Sequence, residues 1–328
     1  METRKVQQVG GGTYTVSIPI SWAEEHEIEA GETAYLYTHR DGSLVVRWGD
    51  REERALGAVD VDVGEERADA ATWTLDAAYG AGFDRITLHT TVEAQRESIA
   101  ARARTLIGVD VAEEAEGHVT VRWLLDAGEL SIHQSVRQLR FVAASMHEAA
   151  MASFAGATAE AGYITDRIDE TDRLRRLIER LYTRAMVLFD ELDRLDATRP
   201  RLFAGYRTAY ELDCVASEAA EIAQAVDRLG PAASTDLVEE IRSAGDDARE
   251  AVEAATDAVT DGGSTTTVQD VLDGADATAE STRTLQETVA TADPPDAVLL
   301  TRVLDSVRRT VRHAERIGQI ALGRRVRT

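Results

Sequence analysis

YITDRIDETDRLRRLIERLYTRAMVLFDELDRL, residues 163–195, sets Leu174, Leu177, Ile178, Leu181, Ala185, Leu188, Leu192 and Leu195 at steps of three and four. At about 100° per residue these positions form one unbroken apolar stripe, so the spacing predicts a single long core-facing helix over 163–195. Asp166, Asp169, Glu170 and Asp172 gather at its start, with Asp169 and Asp172 turned roughly opposite the stripe and Glu170 near its edge. Such carboxylates are the first place to look for chemistry.

Outward from this stretch the chain reads as helix from about residue 127 to its end. Gly156 with Thr158, Thr198 with Pro200, Pro231, Gly262-Gly263-Ser264 and Pro294-Pro295 break it into six helices. The third carries the stripe Leu212, Val215, Ala219, Ile222, Val226 and Leu229. The fourth carries Leu237, Ile241, Ala248, Val252 and Val259, and the sixth Leu300, Val303, Leu304, Val307, Val311, Ile317 and Ile320. Long helices on short links predict two three-helix bundles, over 127–230 and 231–328.

On the amino-terminal side, residues 51–126 alternate in type. ALGAVDVDV, FDRITLHT, VDVAEE and GHVTVRWLL read as strands, and ADAATWTLDAAYGAG and VEAQRESIAARARTLIG as helices, which predicts a small α+β layer with its helices on one face. Residues 4–48 read as short strands about Gly10-Gly11-Gly12 and a hairpin about Asp41-Gly42. A short helix lies between them, expected to start at Ser21 and to end at Gly31. So small a piece buries little alone, and two copies completing each other's sheet would make one barrel. The expected fold is multidomain and mainly α: an N-terminal β swapped hairpin over 1–50, the α+β layer, then six helices as two bundles.

Two resemblances follow from particular residues. The order strand, glycine turn, strand ending in Ile18-Pro19-Ile20, short helix, Gly31-Glu32 and hairpin about Arg40-Asp41-Gly42 resembles the AbrB or SpoVT swapped-hairpin domain. That resemblance implies a homodimer through residues 1–50, and DNA binding through Arg4 and Lys5, which would make the chain a transcriptional regulator with the helical bundles as its effector domain. The second basic pair of that family is absent, Trp22, Ala23, Glu24 and Glu25 standing there, and residues 1–50 are net acidic. Phosphate contacts drive most DNA affinity, so this composition works against DNA as a partner.

Ile168-Asp169-Glu170-Thr171-Asp172-Arg173-Leu174 in the second helix resembles an acidic motif of the PhoU family of phosphate-uptake regulators. Leu212-Asp213-Cys214-Val215-Ala216-Ser217 and Ala314-Glu315-Arg316-Ile317-Gly318-Gln319 echo that family's second motif, one copy in the last helix of each bundle. The resemblance covers residues 127–328. It implies a regulator that works with a phosphate transporter subunit or a sensor kinase, and iron, zinc or magnesium held by Asp169, Asp172, Asp213 and Glu315. Ser217 and Gln319 stand where the pattern has Asp, which takes a charged ligand from each bundle.

Composition narrows the rest. Asp and Glu outnumber Lys and Arg by 59 to 36, for a formal charge of -23, and Lys5 is the sole lysine. So acidic and well hydrated a surface suits a salt-rich cytoplasm. The start, METRKVQQVGGG, lacks a signal peptide's apolar segment and no apolar run approaches membrane length, so a cytoplasmic protein is expected. One cysteine, Cys214, forms neither an intrachain disulfide nor a cysteine zinc site.

Catalytic motifs are missing. Strand residues TYTVSI follow the triple glycine where a phosphate loop needs a helix, no Glu is followed by His three residues on as a di-iron centre requires, and no Gly-x-Ser-x-Gly elbow occurs. His89, His118, His133 and His147 lack metal-ligand spacing. No catalytic activity is expected. The last helix is rich in arginine, Arg302, Arg308, Arg309, Arg312, Arg316, Arg324, Arg325 and Arg327 standing against Asp305 and Glu315, and pairing with acidic neighbouring helices is the expected use.

Overall fold

The structure, a computed structural model, describes residues 3–39, 42–48, 55–64, 67, 69–156, 161–229, 235–262, 264–292, 294 and 296–326. Arg40 and Asp41 of the expected hairpin turn, and Thr158, Pro231, Gly263 and Pro295 among the expected breaks, lie outside the described residues. The chain separates into two units, Met1–Glu53 and Arg54–Thr328.

In the first unit β1 (Gln7–Val9) and β2 (Thr13–Thr15) pair antiparallel, and β3 (Ala34–Thr38) and β4 (Leu44–Trp48) form a second antiparallel ribbon. Between them α1 (Ile20–Glu25) is shorter than the sequence suggests, and Ser21 lies inside it. Pro19 stands at its N-cap with φ −60, which proline's ring imposes anyway, and the chain leaves the helix at His26 and Glu27, the latter at φ +54. Val9, Tyr14, Val16, Ile18, Ile20, Leu36 and Leu44 are exposed, since a two-stranded ribbon has no interior to hide them.

The second unit begins with the α+β layer: β5 (Ala58–Asp62), α2 (Ala70–Ala81), β6 (Arg85–His89), α3 (Glu93–Thr105), β7 (Val109–Ala115) and β8 (His118–Trp123). The sheet order is β5-β6-β8-β7, with β5 parallel to β6 and the other pairs antiparallel. Alternation puts Val59, Val61, Ile86, Leu88, Val119 and Val121 on one face, where they pack with Leu75 and Tyr79 of α2 and Ile99 and Ala103 of α3.

The rest is helical: α4 (Ile132–Phe154), α5 (Ala161–Val187), α6 (Phe189–Arg194), α7 (Arg199–Val226), α8 (Thr235–Asp257) running into a π turn over Ala258–Gly262, α9 (Thr265–Ala292) and α10 (Ala297–Arg325). α4, α5 and α7 pack on one another, as do α8, α9 and α10, while α4 on α8 and α7 on α10 join the two trios. One apolar core runs through both. The unit is mainly helical with a small mixed sheet.

The helix expected over 163–195 is two helices. Leu188 adopts an extended φ of −101 and ψ of 112, and α6 restarts with Asp190 and Glu191 in its first turn, where carboxylates suit the helix dipole. The stripe survives the break because Leu188, Leu192 and Leu195 remain buried. What the break achieves is local: it turns the Glu191 carboxylate back onto Arg184, which donates to it from Nε at 3.0 Å and from Nη2.

Gly82 ends α2 at φ +100, and a Cβ there would stand 2.6 Å from Cγ of Arg184. Both the left-handed backbone and the close approach call for glycine. Gly82→Ala is expected to cost about 2 kcal/mol or more, read as a lower denaturant midpoint at unchanged m-value.

Candidate functional site

The densest array of charge lies on the side of α5 away from the leucine stripe. Arg102 of α3 grips Asp76 of α2 with two hydrogen bonds, Nε to Oδ1 at 2.8 Å and Nη2 to Oδ2 at 3.1 Å, and reaches Asp172 of α5 at 2.8 Å. Arg176 donates to both Asp172 oxygens at 2.9 Å and also meets Asp76 at 3.1 Å. Arg175 joins Asp172 at 3.1 Å, Glu179 at 3.0 Å and, from Nε, Asp213 of α7 at 3.1 Å. Four helices, two from the layer and two from the first trio, are thus tied through alternating charges. Burial works to raise the Asp172 pKa, but hydrogen bonds from Arg102 and Arg176 outweigh it and hold the carboxylate below its usual range. For Asp213 burial prevails over Arg175, and its pKa is raised.

Two turns further along α5, Arg180 is fully buried. Its Nη1 and Nη2 donate at 2.9 Å to the carbonyls of Tyr79 and Phe83, at the end of α2, and its guanidinium lies 4.2 Å from the Trp123 ring centre and 5.1 Å from that of Tyr79. Arg184 adds a hydrogen bond to the Gly82 carbonyl at 2.6 Å and one to Asp84. Two cations therefore sit on the carbonyls at the C-terminus of α2, where the helix dipole favours positive charge; that of Tyr79 also accepts from Gly82 N–H at 3.0 Å. Burial, with Arg184 close by, holds the Arg180 pKa down to about 10, still charged at neutral pH.

The residues that the sequence singles out are only partly brought together. Asp172 and Asp213 meet around Arg175, whereas Asp169 is exposed on the first turns of α5. Glu315 lies on α10 beside Asp276 of α9 and between Arg312 and Arg316, its pKa raised by burial and then by Asp276. Arg4 and Lys5 are exposed ahead of β1 in the first unit. The donor set does not fit a metal: both oxygens of Asp172 already accept from guanidinium groups, so arginine supplies the positive charge that a cation would. Among the described residues no group of three His, Cys, Asp or Glu side chains stands ready to hold one. His89 and His118, far apart in sequence, meet as cross-strand partners with ring centres 5.8 Å apart, beside Asp60 and Glu113 respectively.

Of the arginines of α10, Arg309 pairs with Glu218 and Arg316 with Glu211 on α7, as expected of acidic neighbouring helices, while Arg308 pairs with Asp305 on its own helix. At the centre of the α7–α10 contact Glu211, nearly buried, accepts from His313 Nδ1 at 2.7 Å and from Arg316 at 3.4 Å. Burial works to raise its pKa, but the His313 hydrogen bond leads the effects that hold it below the ordinary glutamate value. The segments 212–217 and 314–319, which echo one motif, therefore sit on the two helices that join the trios. Cys214 lies there half-buried, its thiol pKa pushed up to about 11 by burial and the surrounding acids. Among the described residues no helix is long and apolar enough to cross a membrane.

The site is a charge-locked joint in a mainly α protein. No family model matches the sequence, and no curated protein matches it. Among solved structures, the crystal structure of PhoU from Pseudomonas aeruginosa is similar over 59% of this chain and 95% of that one, at 15% identity and a TM-score of 0.47.

Proposed function

We propose that the chain is a PhoU-like regulator of phosphate uptake, a dimeric adaptor that performs no reaction itself. The observation that carries this reading is the meeting of the two motif-bearing helices: α7 and α10 lie against each other, joined by Glu211 with His313 and Arg316. Two trios so joined share one core, and a contact made on one can bias the other. In this reading the first unit supplies the dimer contact, two copies covering each other's exposed Tyr14, Val16, Leu36 and Leu44. A phosphate transporter subunit or a sensor kinase is the partner.

Deleting the gene from its source cells tests the reading. Phosphate uptake in phosphate-replete medium should escape its normal repression and return to it when the chain is restored. Uptake that ignores the deletion would refute the regulatory role.

A further inference from the structure

A cleft of about 170 Å³ opens at one end of the helical region, where the first turn of α4, the link between α6 and α7, the start of α7 and the ends of the α8 π turn and α10 come together. Its lining includes Arg201, Arg324, His133 and Asp196, with Thr260 and Gly205 among the smaller side chains. Gly205 matters to its shape, because a Cβ there would stand 2.6 Å from Ile132 Cγ2. Its absence lets α7 approach the start of α4, and Arg201, one turn earlier on the same face, is left at the mouth.

Arg102, Arg175, Arg176 and Arg184 each meet a carboxylate, and the two arginines of this cleft do not share that arrangement. Arg201 has no hydrogen bond or ion pair among the described residues. Arg324 donates to the Val259 carbonyl and pairs with no carboxylate among them. Burial, and then the nearness of Arg201 and Arg325, lower the Arg324 pKa, so like charges are gathered here. The acids close by are Asp196 in the lining and Asp261, which already faces His133 and Arg137 at 3.4 Å each. A second hollow on the other side of Arg324 adds Arg207.

We propose that this cleft binds a small oxyanion of the phosphate class, held between the guanidinium groups of Arg201 and Arg324. A guanidinium presents parallel N–H groups that match two oxygens of such an anion, and two of them from different helices fit a tetrahedral dianion better than a single-point ion such as chloride. The volume holds that anion with several waters. The first turn of α4 adds N–H groups and the positive end of its dipole as a secondary contribution. The site stands on the chemistry of the cleft and does not depend on the regulatory reading.

Isothermal titration of the full chain at fixed chloride, with inorganic phosphate, sulfate and glycerol phosphate as separate probes, tests it. Saturable binding of one ion per chain is expected for at least one probe, and the probe that binds most tightly identifies whether free phosphate or a phosphate ester is the source. Arg201→Glu, an exposed change that breaks no bond, should weaken binding at least tenfold with the unfolding midpoint unchanged, and Arg324→Gln should weaken it similarly. No saturable binding of any probe, or affinity that is the same in wild type and Arg201→Glu, overturns the proposal.

Discussion

Arg180→Ala is expected to lower the unfolding free energy of residues 54–328 by about 3–5 kcal/mol, among the largest effects of any single change in the chain. The side chain is fully buried, so alanine leaves a cavity beside Trp123 and strips the Tyr79 and Phe83 carbonyls of their charged donor. Arg180→Met separates the two causes. It keeps an apolar stem against Trp123 and removes only the guanidinium; the Phe83 carbonyl loses its donor while that of Tyr79 still accepts from Gly82 N–H, so a loss of roughly 1–3 kcal/mol is expected. Chemical denaturation of wild type and both variants, compared at the same salt, gives the two numbers. Equal stability of all three would show that the end of α2 is not held by this arginine.

The second large effect is in pH. His147 of α4 is fully buried, neither ring nitrogen meets a hydrogen-bond partner, and burial, with the Arg249 charge on α8 adding to it, lowers its pKa to about 4 from the ordinary 6.5. Below pH 6.5 the unfolded chain takes a proton at this residue and the folded chain refuses it, so acid favours unfolding. The contribution to stability is complete above 6.5, declines as pH falls, and is gone below about 4. At about 1.4 kcal/mol per pH unit the whole span amounts to roughly 3 kcal/mol, and the part between pH 6.5 and 5 to roughly 2. The depressed carboxylates Asp172 and Glu211 add their own acid sensitivity, but only as pH falls through their ordinary values of 3.8 and 4.5 and below, so the window above pH 5 separates them from His147. His147→Leu should flatten the stability profile there by roughly 2 kcal/mol relative to wild type. Parallel profiles would show that His147 takes up its proton in the folded state.

The apolar stripes were legible because burial has a period. Leu174, Leu177, Ile178, Leu181 and Ala185 are all buried, and so are the alternate strand residues Ile86, Leu88, Val119 and Val121. The break at Leu188 was not, since its neighbours keep the helical period on both sides and no glycine or proline marks it. The charged face of α5 misleads for a different reason. Asp172 does point away from the leucines, but what lies on that side is the α+β layer, and Arg102 reaches it from 70 residues back in the chain. Distance along the chain hides such partners from any local pattern. One signal was present: Arg176, Arg180 and Arg184 recur every four residues with one another as neighbours on the helix face, and a row of like charges needs partners from elsewhere. Asp172 and Asp213 were found as residues, but their partners prove to be arginines rather than each other.

These observations make the layer and both helix trios one body, which an adaptor needs if a contact at one face is to be felt at another. Trp123 reports on the joint directly, because it packs against the apolar clusters of both the layer and the helices and lies under Arg180. With Trp22, Trp48 and Trp73 changed to phenylalanine, its fluorescence can be followed through denaturation beside the helical circular dichroism signal. The two transitions should coincide in midpoint and slope, as one cooperative unit requires. A Trp123 transition complete at denaturant concentrations where the helices remain intact would contradict it.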